Sequence, residues 1–298
     1  MAAQISLRFL GVRSIHSAPG SENTTTGGNT SCLEIRDGNQ RIFVNAGFGI
    51  NVAGDELFGK YLKEKVPTNC TVLLSDFLWD TTMGLPFFTP IHFKSTEIDI
   101  LTGAAEAVAM SGLDDAASNL FSPFNGVKGF RADISVRTID APMHLGNWNI
   151  QALCLPHPLT PYPVTLWRLT HADGADIGIT MLCDPTDSNV AAAGEFFRDC
   201  KTLVCAATSS GPNDPWSQNR TSFEDALRLA VTARSDELLL TQFHPDMNDQ
   251  ALQTELLKLR ATQLARTHTT GAKPLGIHLG SEIEIFTPAC NPTLQKVG

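Results

Sequence analysis

The amino-acid sequence predicts an α/β protein in which sheet packs on sheet and helices lie outside. Short β-branched or alternating segments fill its first two thirds and amphipathic helical stripes follow them. No repeat, low-complexity tract or long charge run divides the 298 residues, so we read a single domain over 1–298.

The strand signals run in order as Ile5 to Val12, Ser31 to Arg36, Arg41 to Asn45 and Thr71 to Ser75, each short and bounded by Gly, Asn or Pro. Ile98 to Leu101, Trp148 to Leu155, Val164 to Thr170, Asp176 to Cys183 and Thr202 to Ala206 continue the pattern. Helices are expected at Gly103 to Ser111, Ser222 to Arg234 and Asn248 to Thr267. The second has Ser222 as its cap, Asp225 three residues on, and Ala226, Leu227, Leu229, Ala230 and Ala233 on one stripe. Glu237 to Phe243 is an apolar run short enough for a buried strand, and Glu282 to Ile285 alternates as a half-exposed one. Ser21 to Thr30 and Ala141 to Asn149 are read as irregular stretches.

Composition narrows the function. A chain of 298 residues buries about 75% of its unfolded surface and needs no disulfide or metal clip merely to fold. Its 22 Lys and Arg against 31 Asp and Glu give a net charge of −9, whereas phosphate-backbone binders carry a basic patch, so no nucleic-acid partner is expected. Seven cysteines, an odd number without a CxxC pair, sit largely in apolar runs, as free thiols do in a reducing compartment. The first residues lack the basic and apolar regions of a secretory signal, and no apolar run is long enough to span a membrane. The expectation is a cytoplasmic protein without membrane partners.

The segment richest in chemistry is Leu73-Leu74-Ser75-Asp76-Phe77-Leu78-Trp79-Asp80-Thr81, closed by Gly84-Leu85-Pro86-Phe87-Phe88. It resembles the metal-binding loop of metallo-β-lactamase-fold hydrolases, in the phosphodiesterase-like and tRNase Z-like branch, where Leu-Leu-Thr-His-Phe-His-Trp-Asp-His precedes Gly-Leu-Pro-Phe-Phe. Further landmarks follow in order. Leu10-Gly11-Val12-Arg13, Gly27-Gly28-Asn29-Thr30-Ser31-Cys32, Val44-Asn45-Ala46-Gly47, Leu155-Pro156-His157-Pro158, Leu182-Cys183-Asp184, Asn219-Arg220-Thr221-Ser222 and Gln242-Phe243-His244-Pro245 each resemble a family motif. The resemblance implies a four-layer αββα sandwich with its site at the sheet edges.

It also implies a changed site. Where the family places His-x-His-x-Asp-His this chain has Asp76, Leu78, Asp80 and Thr81; Gln242 replaces the last His, Arg220 a further His, and Asn45 an Asp. Of seven ligand positions, Asp80, His157 and Asp184 keep the family residue. Zinc needs imidazole, thiolate or carboxylate donors, and Leu78 has no lone pair. The expectation is therefore a pseudoenzyme that binds a protein or small ligand in the old cleft, with no cofactor. The alternative is a hydrolase of esters or phosphodiesters in which Asp76, Asp80, His157 and Asp184 hold one divalent ion, Mn or Mg rather than a zinc pair, and Arg220 stabilises developing negative charge. A third reading makes the acids purely structural, with at least one carboxyl pKa raised, Asp80 capping a helix and Asp184 starting a turn. Trp79, Phe87 and Phe88 either line a cleft or, as is commoner for such aromatics, lie in the core; His244 is expected on the surface or in packing, and a homodimer by family analogy only.

Overall fold

A computed structural model describes residues 5–104, 131–157, 162–181, 184–208, 220–271, 273–288 and 293–296. Its first sheet contains β1 (Ser6–Gly11), β2 (Cys32–Asp37), β3 (Gln40–Val44), β4 (Cys70–Leu73), β5 (Glu97–Thr102), β6 (Asp133–Thr138), β14 (Glu284–Thr287) and β15 (Thr293–Lys296), in the order β15-β14-β1-β2-β3-β4-β5-β6. The second contains β7 (Met143–Leu145), β8 (Trp148–Leu155), β9 (Val164–His171), β10 (Asp176–Thr180), β11 (Thr202–Ala206), β12 (Glu237–Thr241) and β13 (Gly276–Leu279), in the order β13-β12-β11-β10-β9-β8-β7. Both are mixed: β3 to β6 and β10 to β13 are parallel, and the remaining neighbours are antiparallel.

The period of two along each strand of the first sheet sorts its side chains between two cores. Leu7, Phe9, Ile42, Val44, Leu73 and Leu101 face the second sheet, whose inward face carries Trp148, Ile150, Trp167 and Leu169. Their neighbours Leu10, Phe43, Val72, Leu74 and Ile100 turn outward to α1 (Ile50–Glu64), which contributes Ile50, Ala53 and Leu57. Beyond the second sheet lie α3 (Asp187–Phe196), α4 (Phe223–Ala233) and α5 (Asp249–Thr270), so β10 to β12 are buried on both faces and read as continuous apolar runs. A one-turn helix, α2 (Trp79–Thr82), lies between β4 and β5. The outer face of the first sheet also carries charge. Glu34, fully buried, meets Arg36 at 2.7 Å and Arg41 at 2.5 Å, and Glu56 of α1 reaches Arg8 and Arg36.

Most predicted elements form, with several corrections. Ser222 caps α4 in a reciprocal pair with Asp225, and Asn248 caps α5. The stretch Ala141 to Asn149 is not irregular: it holds β7 and a turn into β8, because Met143 to Leu145 pairs with Trp148 to Ile150. The late strand begins at Glu284; Glu282 and Ile283 form a turn, since the Glu282 carboxylate is drawn in to Asn29. The helix expected over Gly103 to Ser111 lies outside the described residues from 105 onward. Cys32, Cys70, Cys200 and Cys205 are buried free thiols, and Cys154 is an exposed one. Among the described residues no helix is long and apolar enough to cross a membrane.

The polar loop over Ser21 to Thr30 is held by buried charge. Arg13, with no exposed surface, donates to Gly27 O at 2.8 Å, Met247 O at 2.6 Å and Thr26 Oγ1 at 3.1 Å. Asp249 accepts from the Thr25 and Thr26 amides and the Thr26 hydroxyl, and these bonds hold its pKa down against burial. Glu282 accepts from Asn29 N at 2.7 Å and Nδ2 at 2.8 Å, yet burial pushes its pKa up from 4.5 to about 7. Between those two values the folded chain keeps a proton that the unfolded chain releases, so stability contributed by the protonated acid is lost as pH rises through about 7. Asp249 acts in a separate window, losing its contribution only as pH falls below 3.8. Thermal midpoints of wild type and Glu282→Gln across the window from 4.5 to about 7 are expected to show a decline in the wild type that the variant lacks. Parallel profiles would remove Glu282 as its source.

Candidate functional site

The carboxyl ends of β1, β3, β4, β8, β10, β11 and β12 all point to one rim of the sandwich, the end at which open α/β sheets gather ligand-binding loops. The two sheets are stitched together there. Thr165 N donates to Ser75 O at 2.6 Å, Phe243 N to Val12 O at 2.8 Å and Ser14 N to Phe243 O at 3.1 Å. Glycines allow the loops of the first sheet to nest: a Cβ on Gly47 would stand 2.6 Å from Asp80 O, and one on Gly84 would stand 2.2 Å from Gly47 O. The resulting bonds, Ala46 N to Thr81 O at 2.7 Å and Gly84 N to Ala46 O at 2.9 Å, fix the segment that carries Asp76 and Asp80.

Asp76 leaves the end of β4 and folds back on itself. Its Oδ1 accepts from Leu78 N at 2.9 Å and from Thr81 Oγ1 at 2.6 Å. Leu78 is the residue that caps α2, so Asp80 lies inside that helix and does not cap it; its Oδ2 accepts instead from Ile15 N at 2.8 Å. Both acids are buried. Burial pushes the carboxyl pKa of each upward, and for Asp80 the Asp76 charge adds to the effect. The Arg220 guanidinium opposes the rise at both. Burial and then Arg220 push the His157 imidazole down, so its neutral form is favoured, while Asp80 pulls the other way.

Four of the predicted residues therefore act on one another: Asp76, Asp80, His157 and Arg220. Thr81 joins them through its hydroxyl. Gln242 is buried at the end of β12 in a left-handed conformation, φ 53°. Asp184 is half-buried and its backbone carbonyl accepts from Thr186 N and Asn189 Nδ2, which makes the turn into α3. Among the described residues, no group of three or more His, Cys, Asp or Glu side chains is placed to share one metal ion. His244 is buried, as a packing residue would be.

The wider rim contains unusual backbone and unpaired polar atoms. Ile15, Asn45, Asp184 and Gln242 all have φ between 53° and 64°. For the β-branched Ile15 that conformation is strained, and its amide is the group that holds Asp80. Asn45 accepts from Ser75 N through Oδ1, while among the described residues neither its buried Nδ2 nor Nε of Arg220, a residue only 9% exposed, has a hydrogen-bond partner. Phe88 enters the core as expected, but Trp79 is 65% exposed and Phe87 50%. Phe87 pairs with half-exposed Phe48, their centroids 5.8 Å apart, beside the Gly47 and Gly84 crossing.

No family model and no curated protein matches the sequence. Solved structures do match over nearly the whole chain. The metallo-beta-lactamase fold protein YhfI from Bacillus subtilis aligns with TM-score 0.64 and 17% identity over 95% of this chain and 98% of that one. The chain has the metallo-β-lactamase fold. Unliganded yeast PDE1 aligns with TM-score 0.64 and 12% identity, covering 94% of this chain and 98% of that one, and human tRNase Z, short form, with 0.56 and 14% over 94% and 98%. At such identities the likeness speaks for the architecture alone. Within this metallo-β-lactamase fold, the role of Ile15 at the rim had no sequence signal, because a β-branched residue gives no hint of a left-handed turn. Thr81 was legible as a rim position, yet its short bond to Asp76 depends on the one-turn helix between them.

Proposed function

We propose that this metallo-β-lactamase-fold protein binds a small, oxygen-rich ligand at the rim without hydrolysing it, its metal centre having been replaced by internal charge. The observation that carries this reading is Arg220. A buried guanidinium within electrostatic reach of Asp76, Asp80 and His157 supplies one positive charge beside these groups, and it would repel a dication placed beside it. The donor set agrees. The Leu78 side chain offers no lone pair, one oxygen of each acid is engaged by N–H or O–H donors, and among the described residues no three acids or imidazoles converge. A dinuclear zinc centre does not fit these residues. Among the described residues, the buried rim atoms without a hydrogen-bond partner include Asn45 Nδ2 and Arg220 Nε, donors that suit ligand oxygens.

A second reading, a hydrolase with one divalent ion on Asp76, Asp80, His157 and Asp184, draws support from the clustered backbone strain, which is common at active sites. Metal analysis of unchelated protein, with turnover assays on bis(p-nitrophenyl) phosphate and p-nitrophenyl acetate, separates the two. The expected result is metal well below one equivalent and no turnover on adding Mn²⁺, Mg²⁺ or Zn²⁺. Stoichiometric metal, or metal-dependent turnover abolished by Asp184→Asn and His157→Ala, would establish the second.

A further inference from the structure

The first sheet ends on β6, which among the described residues has a neighbouring strand on one side only, β5. It is the longest of the four edge strands, with six residues against three in β7 and four each in β13 and β15. A carbonyl of β13 is already taken, since Arg260 of α5 donates to Ile277 O through Nε at 3.1 Å and Nη2 at 2.6 Å. By contrast, β6 contains no proline and keeps an unbroken register with β5 from Asp133 to Thr138, so neither of these devices blunts its edge.

The pleat decides which backbone groups of β6 point outward. Asp133 N donates to Thr96 O at 2.9 Å and Ile139 N to Thr102 O at 2.8 Å. Alternation turns Ser135 and Arg137 toward β5 as well, and it points the N–H and C=O groups of Ile134 and Val136 off the edge. Side chains divide between the two faces. Ile134 and Val136 pack on the core beneath α1. On the other face Ser135 Oγ donates to Asp99 Oδ1 and Arg137 Nη2 to Asp99 Oδ2 at 2.9 Å. Arg137 and Asp99 remain substantially exposed, so their pair is weak and leaves Arg137 able to meet a second acid.

A second β6 fits this edge in one register. Two copies related by a two-fold axis run antiparallel, and their outward-pointing residues must face each other. With the axis at Ser135, Ile134 of each copy exchanges both backbone hydrogen bonds with Val136 of the other, and Asp133 of each lies opposite Arg137 of the other. Those charged pairs fall at non-hydrogen-bonded positions, where side chains come closest. Moving the axis to Ile134 would set Arg137 against Arg131, and moving it to Val136 would set Arg137 against Ser135, so charge selects the first register.

We propose that β6 joins two copies of this chain in an antiparallel, isologous dimer with one sheet running through both. Sedimentation velocity of the full chain at about 5–500 µM tests it, and a monomer–dimer equilibrium is expected. Val136→Pro removes an N–H that points away from β5, so it should weaken dimerisation about tenfold or more while the thermal midpoint stays near that of wild type. Asp133→Lys and Arg137→Glu each set like charges opposite one another and should dimerise as poorly. Mixing those two restores opposite charges at both positions, so the equimolar mixture should regain the dimer. Both substitutions are at exposed side chains, and they decide the question even if the proline variant does not fold. A wild type that is monomeric at about 500 µM, a dimer that a folded Val136→Pro leaves intact, or a mixture no more dimeric than its components would overturn the proposal.

Discussion

Replacing Arg220 with methionine is expected to destabilise the fold by about 3 kcal/mol or more, because it leaves Asp76 and Asp80 buried without their shared counter-charge. Both carboxyls already sit above their ordinary pKa, and losing the guanidinium moves them higher. Stability supplied by their protonated forms is lost as pH rises through the folded values, so the variant should lose more, relative to wild type, in alkaline than in acidic buffer. Urea titrations at two pH values measure this. Adding Asp76→Asn and Asp80→Asn to the variant should recover most of the loss, and the thermodynamic cycle isolates the coupling. A variant as stable as wild type at both pH values would mean that Arg220 does not neutralise the rim.

Arg13→Met should cost about 3–5 kcal/mol, a large share of the roughly 5–15 kcal/mol that holds a domain together. The guanidinium is fully buried and spreads its hydrogen bonds over Gly27, Thr26 and Met247, so its removal strands backbone carbonyls and takes away a positive charge that interacts with Asp249 and Glu282. Arg13→Lys should rescue little, since one ammonium cannot span acceptors on two separate segments. The urea midpoint should fall with the slope unchanged. A loss under about 1 kcal/mol would show that the loop holds without this clamp.

How much was legible in the sequence depended on punctuation. Strands of the second sheet were readable because apolar runs such as Leu238-Leu239-Leu240 lie buried on both faces and end at polar residues. The helices α4 and α5 announced themselves through Ser222 and Asn248. The helix α1 did not: Gly49 precedes it without a side-chain cap, Gly54 and Gly59 interrupt it, and Lys65 ends it in a left-handed conformation where glycine is the usual signal. Gly54 is there for space, since Phe88 packs against it at 3.0 Å from where a Cβ would sit. At the rim, residue identities revealed which lone pairs exist, while the engagement of Asp80 by a backbone amide from Ile15, 65 positions away, could come only from three-dimensional closure.

The pairing of β1 has a consequence for how the chain is assembled. This strand is interior to its sheet, with β2 on one side and β14 on the other, and Leu7 sits opposite Phe286. Until β14 has been made, the nascent polypeptide thus carries an unfilled strand edge at β1. Any shortened product ending before residue 284 would present that sticky edge permanently, so truncation exposes the molecule to self-association through β1.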